Sequence, residues 1–224
     1  MTHAVKYHPG MMLMEQYVEG TLAPDVALAV ATHIDLCPHC QRLCQDIHND
    51  QASSLAADDA PVMADDFAAL FAAITAEPQL EKPRKTQQRD AVTVNVNGRE
   101  FRVPRALSRL ANQHGKWLQL GGVATAKLPA GDKMHVSLLY IDKGTEIPNH
   151  THLGLEMTLV LSGTICDENG EYGAGDLLIN TPADTHTPHT RADEDCLCLS
   201  VLSAPLKFNK GLTRLLNPLQ QFFY

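Results

Sequence analysis

The stretch His33-Ile34-Asp35-Leu36-Cys37-Pro38-His39-Cys40 decides how the first third of the chain folds. It reads H-x3-C-x2-C. Residues four apart share one face of a helix, so His33 and Cys37 can point the same way from the end of a single helix. Pro38 interrupts regular hydrogen bonding and makes a turn, which lets Cys40 fold back toward Cys37. Two thiolates and an imidazole brought together in this way suit one tetrahedral zinc ion. A fourth ligand must come from elsewhere, and the amino-terminal segment offers His8 and His3. Two plainer readings compete with zinc. A bare C-x2-C can be a thioredoxin-like redox pair, but that motif wants a βαβ context and the flanks here have a helical pattern. Free cysteines can also pack as small hydrophobes in a helical core. The histidine one turn upstream favours the metal. Cys44, one turn after Cys40, would become an exchange partner if the metal were lost.

Working outward, His8-Pro9-Gly10 precedes a short apolar helix from Met11 to Val18 that should end near Gly20. Pro24 and Asp25 open a second helix. Its Val26, Ala29, Val30 and His33 fall at helical spacing and lead into the cysteines. A third helix is expected from about Gln41, and Ala56 to Pro61 reads as a loop. A fourth, from Asp65 to Ile74, has an acidic start that favours the helix dipole. Phe67, Leu70, Phe71 and Ile74 form one apolar stripe on it. Ordinary core packing explains such a stripe. A docking face for a partner explains it too, because a loop sets this helix apart from the zinc module.

Glu77 to Arg89 carries Pro78, Pro83 and four basic residues, with Leu80 as its only large apolar side chain, and reads as a linker. After it the pattern changes to period two. Val92, Val94 and Val96 alternate, Asn97-Gly98 is a hairpin turn signal, and Phe101 and Val103 follow. Trp117 to Leu120, Val136 to Tyr140, Leu177 to Ile179 and Cys196 to Leu202 extend the strand pattern. The second half is therefore an all-β domain, a small sandwich or barrel.

At 224 residues the chain has room for two domains. No apolar run of membrane-spanning length and no basic-then-apolar leader occurs in it, so a cytoplasmic protein without a membrane anchor is expected. Six cysteines in a reducing compartment read as ligands, sensors or packing, not as a disulfide framework. The net charge of -8 is unevenly placed: residues 1–77 sum to -9 and residues 78–224 to +1. An acidic first domain is a poor match to a phosphate backbone, which argues against direct nucleic-acid binding. A basic protein partner fits better, beside the plainer reading of a solvated acidic surface.

A second constellation sits in the β-rich half, from Gly144 through His150-Thr151-His152 to Glu156 and on to Gly163. Alternate residues of a strand share a face, so His150 and His152 point to one side, and Glu156 has the same parity. His186, eleven residues after Gly175, can be brought in by a neighbouring antiparallel strand, with His189 as the substitute if that strand is shifted. Three imidazoles and a carboxylate bind Zn, Fe, Mn, Ni or Cu.

The run G-x5-H-x-H-x3-E-x6-G, from Gly144 to Gly163, resembles the first cupin motif at every fixed position. The second cupin motif is matched in part: Gly175 and His186 are correctly spaced, while Thr181 and Ala183 hold its proline and inner-glycine positions. A helical H-x3-C-x2-C module joined to a cupin resembles the ChrR family of zinc-binding anti-sigma factors along nearly the whole chain. His8, the run Ala31 to Cys40, the run His150 to Leu161 and His186 carry the likeness. The resemblance implies a helical anti-sigma domain at 1–77, a linker at 78–90 and a metal-binding cupin at 91–224. It implies a first zinc on His8, His33, Cys37 and Cys40, and a second metal, zinc in the first instance, on His150, His152, Glu156 and His186. It implies an extracytoplasmic-function sigma factor as partner, held until oxidative stress, notably singlet oxygen, releases it. The competing class is an enzyme, a cupin dioxygenase using the His/Glu site, for which the helical zinc module has no evident use. The linker composition further predicts two modules that act through a tether.

Overall fold

The computed structural model describes residues 3–57, 65–78, 91–131 and 133–209. The expected loop beyond Ala57 and the linker beyond Pro78 lie outside them. Helices come first: α1 (Met11–Val18), α2 (Pro24–Leu36), α3 (Pro38–Ala57) and α4 (Asp65–Ala76). The third helix begins three residues earlier than expected. Proline lacks the N–H that a first helical residue would leave unpaired and has φ preset for a helix, so Pro38 starts α3. The turn expected at Pro38 is confined to Cys37, whose extended backbone (φ -114°, ψ 102°) ends α2.

The strands follow in chain order: β1 (Thr93–Val96), β2 (Arg99–Arg102), β3 (Leu118–Leu120), β4 (Val123–Lys127), β5 (His135–Ile141), β6 (His150–His152) and β7 (Glu156–Ser162), then β8 (Thr164–Asp167), β9 (Gly170–Gly173), β10 (Leu177–Asn180), β11 (Thr185–His186), β12 (Cys196–Leu202) and β13 (Leu206–Phe208). A short helical passage, Arg105–Leu107 and Ser108–Ala111, lies between β2 and β3. The Asn97-Gly98 turn joins β1 to β2 with both residues at positive φ, as a two-residue hairpin of this twist requires. The main sheet is antiparallel with order β10-β7-β12-β5-β4-β3, and a smaller one has order β11-β6-β13. Side chains from both sheets line a common cavity, so the β part is a closed sandwich, as its cupin-like pattern implies.

The main sheet is buried on both faces. Val160, Cys196, Cys198 and the half-buried Leu139 turn inward, while Met157, Leu159, Leu199 and Val201 point the other way and are buried. The cover on that second face is α2, which packs on β7 and β12 and buries its own Val26, Ala29 and Val30. Carboxylates tie down both ends of α2. Asp25 accepts the Met134 N–H at 3.2 Å, and Asp35 accepts the Ala106 N–H at 2.6 Å.

The compact units consequently divide the chain differently from the tethered pair expected: Met1–Cys44 packs with Ala91–Tyr224, and Gln45–Asp90 forms the other unit. A sheet apolar on both faces needs a cover, and the amino-terminal helices supply it. The expectation of helical and β modules linked only by a tether is corrected on this ground. A fragment of residues 90–224 is then expected to bind a hydrophobic dye and to melt well below the full chain. Equal melting would mean that α2 contributes nothing to the common core.

Candidate metal centres

The first donor set is assembled by three pieces of chain. The extended segment before α1 carries His8, the last turn of α2 carries His33, Cys37 is the junction, and Cys40 lies in the first turn of α3. Their donor atoms all lie within 4.8 Å of one another. His33 Nε2 is 3.2 Å from Cys40 Sγ, and His8 Nδ1 is 3.4 Å from Cys37 Sγ and 3.5 Å from Cys40 Sγ. A tetrahedron with metal–nitrogen bonds of about 2.0–2.1 Å and metal–sulfur bonds of about 2.3 Å has edges near these lengths. Cys37 Sγ also accepts the Cys40 N–H at 3.4 Å, in the first turn of α3.

Electrostatics suit a cation here. The Gly175 carbonyl, 2.8 Å from His33 Nδ1, can only accept, so Nδ1 carries the proton and Nε2 faces the cluster with its lone pair. Burial lowers His33 to about 4 and keeps the ring neutral. Burial, and then the neighbouring Cys37, push the Cys40 thiol up to about 12. Its proton leaves readily only in exchange for a metal. His3 is not in the set, because its Nε2 lies 2.7 Å from Asp176 Oδ2. Of the two amino-terminal candidates, the structure brings His8 to the cysteines.

The second set joins the two sheets. His150 and His152 lie on β6, His186 is paired directly across from His150 on β11, and Glu156 opens β7 on the main sheet. All four are buried and their donor atoms again lie within 4.8 Å of one another. His186 Nε2 is 3.1 Å from His150 Nε2 and 3.3 Å from His152 Nε2, and His152 Nε2 is 3.3 Å from Glu156 Oε2. His150 Nδ1 donates to the Pro148 carbonyl at 2.8 Å, and His186 Nδ1 stands 3.2 Å from Asp167 Oδ2. Burial lowers His150 to about 4. With their Nδ1 atoms facing acceptors, His150 and His186 turn their Nε2 atoms toward one another, an arrangement that one shared cation satisfies. His189 stays outside the set and bridges the backbone of Glu146 and Cys166.

His150, Glu156 and His186 form part of the wall of a cavity of about 530 Å³ whose other walls are mainly apolar, among them Leu118, Ile147 and Phe208. The supporting groups Asp167 and Asn180 had no sequence signal as metal-site residues. Asp167 belongs to a hairpin, where an acidic residue is ordinary, and Asn180 looks like any polar strand residue. Asn180 Nδ2 nevertheless donates to Glu156 Oε2 at 3.0 Å. Asp167→Asn and Asn180→Ala should each weaken metal binding at the second set by about 10–100-fold and leave the first set unchanged, as read by competition with a chelator. Unaltered affinity in both variants would remove them from the site.

Residues 110–205 match the family described as the ChrR cupin-like domain. Over 221 residues the chain is 34% identical to the anti-sigma-E factor ChrR of Cereibacter sphaeroides, covering 96% of this chain and 97% of that protein. A chain in the crystal structure of Rhodobacter sphaeroides SigE in complex with the anti-sigma ChrR matches at a TM-score of 0.66 and 30% identity, over 89% of this chain and 100% of that one. A likeness of this strength that runs through the helical and the β-rich parts alike shows that the chain belongs to the ChrR family.

Proposed function

We propose that this protein is a cytoplasmic anti-sigma factor. It holds an extracytoplasmic-function sigma factor in an inactive complex and releases it under oxidative stress, notably singlet oxygen, thereby repressing transcription without contacting DNA. The observation that carries the reading is the stripe on α4, where Phe67, Leu70, Phe71 and Ile74 are 54% to 63% exposed. Full burial of each such side chain is worth about 1.5–3 kcal/mol, so one face of a twelve-residue helix presents a large unused driving force for association. Kinship with ChrR, crystallised with SigE, supports a sigma factor as the protein that covers it. No helix among the described residues is long and apolar enough to cross a membrane.

Zinc is the metal proposed for both donor sets. At the first, two thiolates and two neutral imidazoles balance a divalent ion and give the tetrahedral donor set typical of structural zinc. It would pin the His8 segment, the end of α2 and the start of α3 together. At the second, three imidazoles and a carboxylate fit zinc and also iron or manganese.

Changing Phe67, Leu70, Phe71 and Ile74 together to Ser should abolish co-purification of the sigma factor and give constitutive transcription from its promoter, with both metals retained. Full silencing by this variant would refute α4 as the docking face. The cavity beside the second donor set favours one other reading, a metal-dependent dioxygenase. Oxygen uptake with a small substrate, and no sigma factor recovered from native cells, would establish it instead.

A further inference from the structure

Two residues on the turn leading into β10 belong to neither donor set, yet they hold the chain segments that carry the first. The Gly175 carbonyl accepts the Nδ1 proton of His33 at 2.8 Å. Beside it, the fully buried Asp176 collects four donors. Its Oδ1 accepts the N–H groups of Lys6 at 2.6 Å and Tyr7 at 3.0 Å, and its Oδ2 accepts the Gly173 N–H at 2.9 Å and meets His3 Nε2 at 2.7 Å. The Leu177 N–H donates in turn to the Tyr7 carbonyl at 3.1 Å. Residues 3–7, which form no helix or strand, are thereby laid along the β-domain immediately before His8.

The turn is shaped to receive that segment. A Cβ on Gly173 would stand 2.7 Å from the His3 ring, and one on Gly175 would stand 2.6 Å from Val5 Cγ2. Gly175 also has a φ of +97°, which residues with side chains rarely adopt. Glycines therefore occur where the amino-terminal segment approaches, and a carboxylate sits where its backbone N–H groups need an acceptor.

We propose that Gly175 and Asp176 are positioning residues for the amino-terminal metal centre, so that the β-domain, and not the helices alone, fixes the tautomer of His33 and the place of His8. A ligand histidine gains affinity when its outer nitrogen is committed to an acceptor, because ring orientation and protonation are then set before the metal arrives. The clamp on Lys6 and Tyr7 does the same for the segment bearing His8 by removing its freedom in advance. At its other end β10 presents Asn180 to Glu156, so β10 and the turn that leads into it reach from the first donor set to the second. Disturbance at the second set thus has a direct route to the first. That regulatory consequence rests on the sigma-release reading; the positioning role does not.

The test uses the full-length protein loaded with cobalt. Only the first donor set contains sulfur, so the thiolate-to-cobalt charge-transfer band reports that site alone. Asp176→Ala should lower cobalt affinity there by about 10–100-fold. Asp176→Asn should restore part of it, since the Asn oxygen can still accept from Lys6 and Tyr7 while its NH2 cannot accept from Gly173. In the unaltered protein, the Lys6 and Tyr7 amides should exchange slowly with deuterium although they lie outside any helix or strand. Unchanged cobalt affinity in Asp176→Ala, or amides that exchange as in a free peptide, would overturn the proposal. Weakened cobalt binding with normal silencing and release of the sigma factor would keep the positioning role and remove only its regulatory consequence.

Discussion

Replacing Cys37 or Cys40 with Ser is expected to empty the first donor set and to raise sigma-dependent transcription to the level of a strain lacking the protein. Both sulfurs are buried beside His8 and His33, and a serine hydroxyl there is a far weaker donor than a thiolate. The loss should exceed the about 10–100-fold expected for a supporting residue, because a bond to the metal is removed outright. Apart from the seat of α2 on the main sheet, the helical segment has few buried apolar side chains of its own. Met14, Val26, Ala29 and Val30 are the buried aliphatic side chains of α1 and α2, whereas structural zinc supplies about 10–16 kcal/mol in small domains at neutral pH. Cys44 is outside the group of donor atoms that converge, so Cys44→Ser should change metal content and silencing far less. Metal analysis of the purified variants together with a promoter reporter checks both halves. Equal loss at all three cysteines would make Cys44 a ligand or a redox partner, and silencing by a metal-free Cys37→Ser chain would separate the metal from the docking function.

Much of each donor set was legible because the spacing is dictated by local geometry. His33 and Cys37 are one helical turn apart, and His150 and His152 alternate on one strand, so those pairs declare themselves. His8 did not, because it lies in a segment with no period, and His3 is as good a candidate on spacing alone. The choice is made by Asp176, about 170 residues away in sequence, which engages His3 and the backbone just before His8. No local pattern carries that information. The two-sided burial of the main sheet left a clearer trace. Cys196 to Leu202 is almost continuously apolar, as is Met157 to Leu161 apart from Thr158, and a strand with one wet face would alternate more strictly. What covers the second face is a tertiary fact, and the tethered modules expected from the linker were mistaken for that reason.

Glu156→Ala or His150→Ala in the full-length chain should leave silencing intact and blunt the release of the sigma factor under singlet oxygen. Neither residue belongs to α4 or to the first donor set, and both are buried in the β-domain, so the proposed docking surface keeps its own side chains. The altered property is the coupling between the second site and the partner. Such couplings are typically worth about 1–3 kcal/mol, a factor of about 5–150, so the ratio of induced to uninduced transcription should fall within that range. Deleting the β-domain near Arg89 tests the same idea less cleanly. It uncovers the apolar face of α2 and removes Asp176 and Gly175 together with the second donor set. If the truncated chain still silences, the docking function resides in the helices despite that loss. The point variants carry the sensor assignment. Reporter transcription with and without a photosensitiser in the light is the measurement, and metal content of the purified variants confirms that only the second site was lost. Release equal to that of the parent would show that the second set is not the sensor, and the cavity beside it would then be better explained by chemistry on a small substrate.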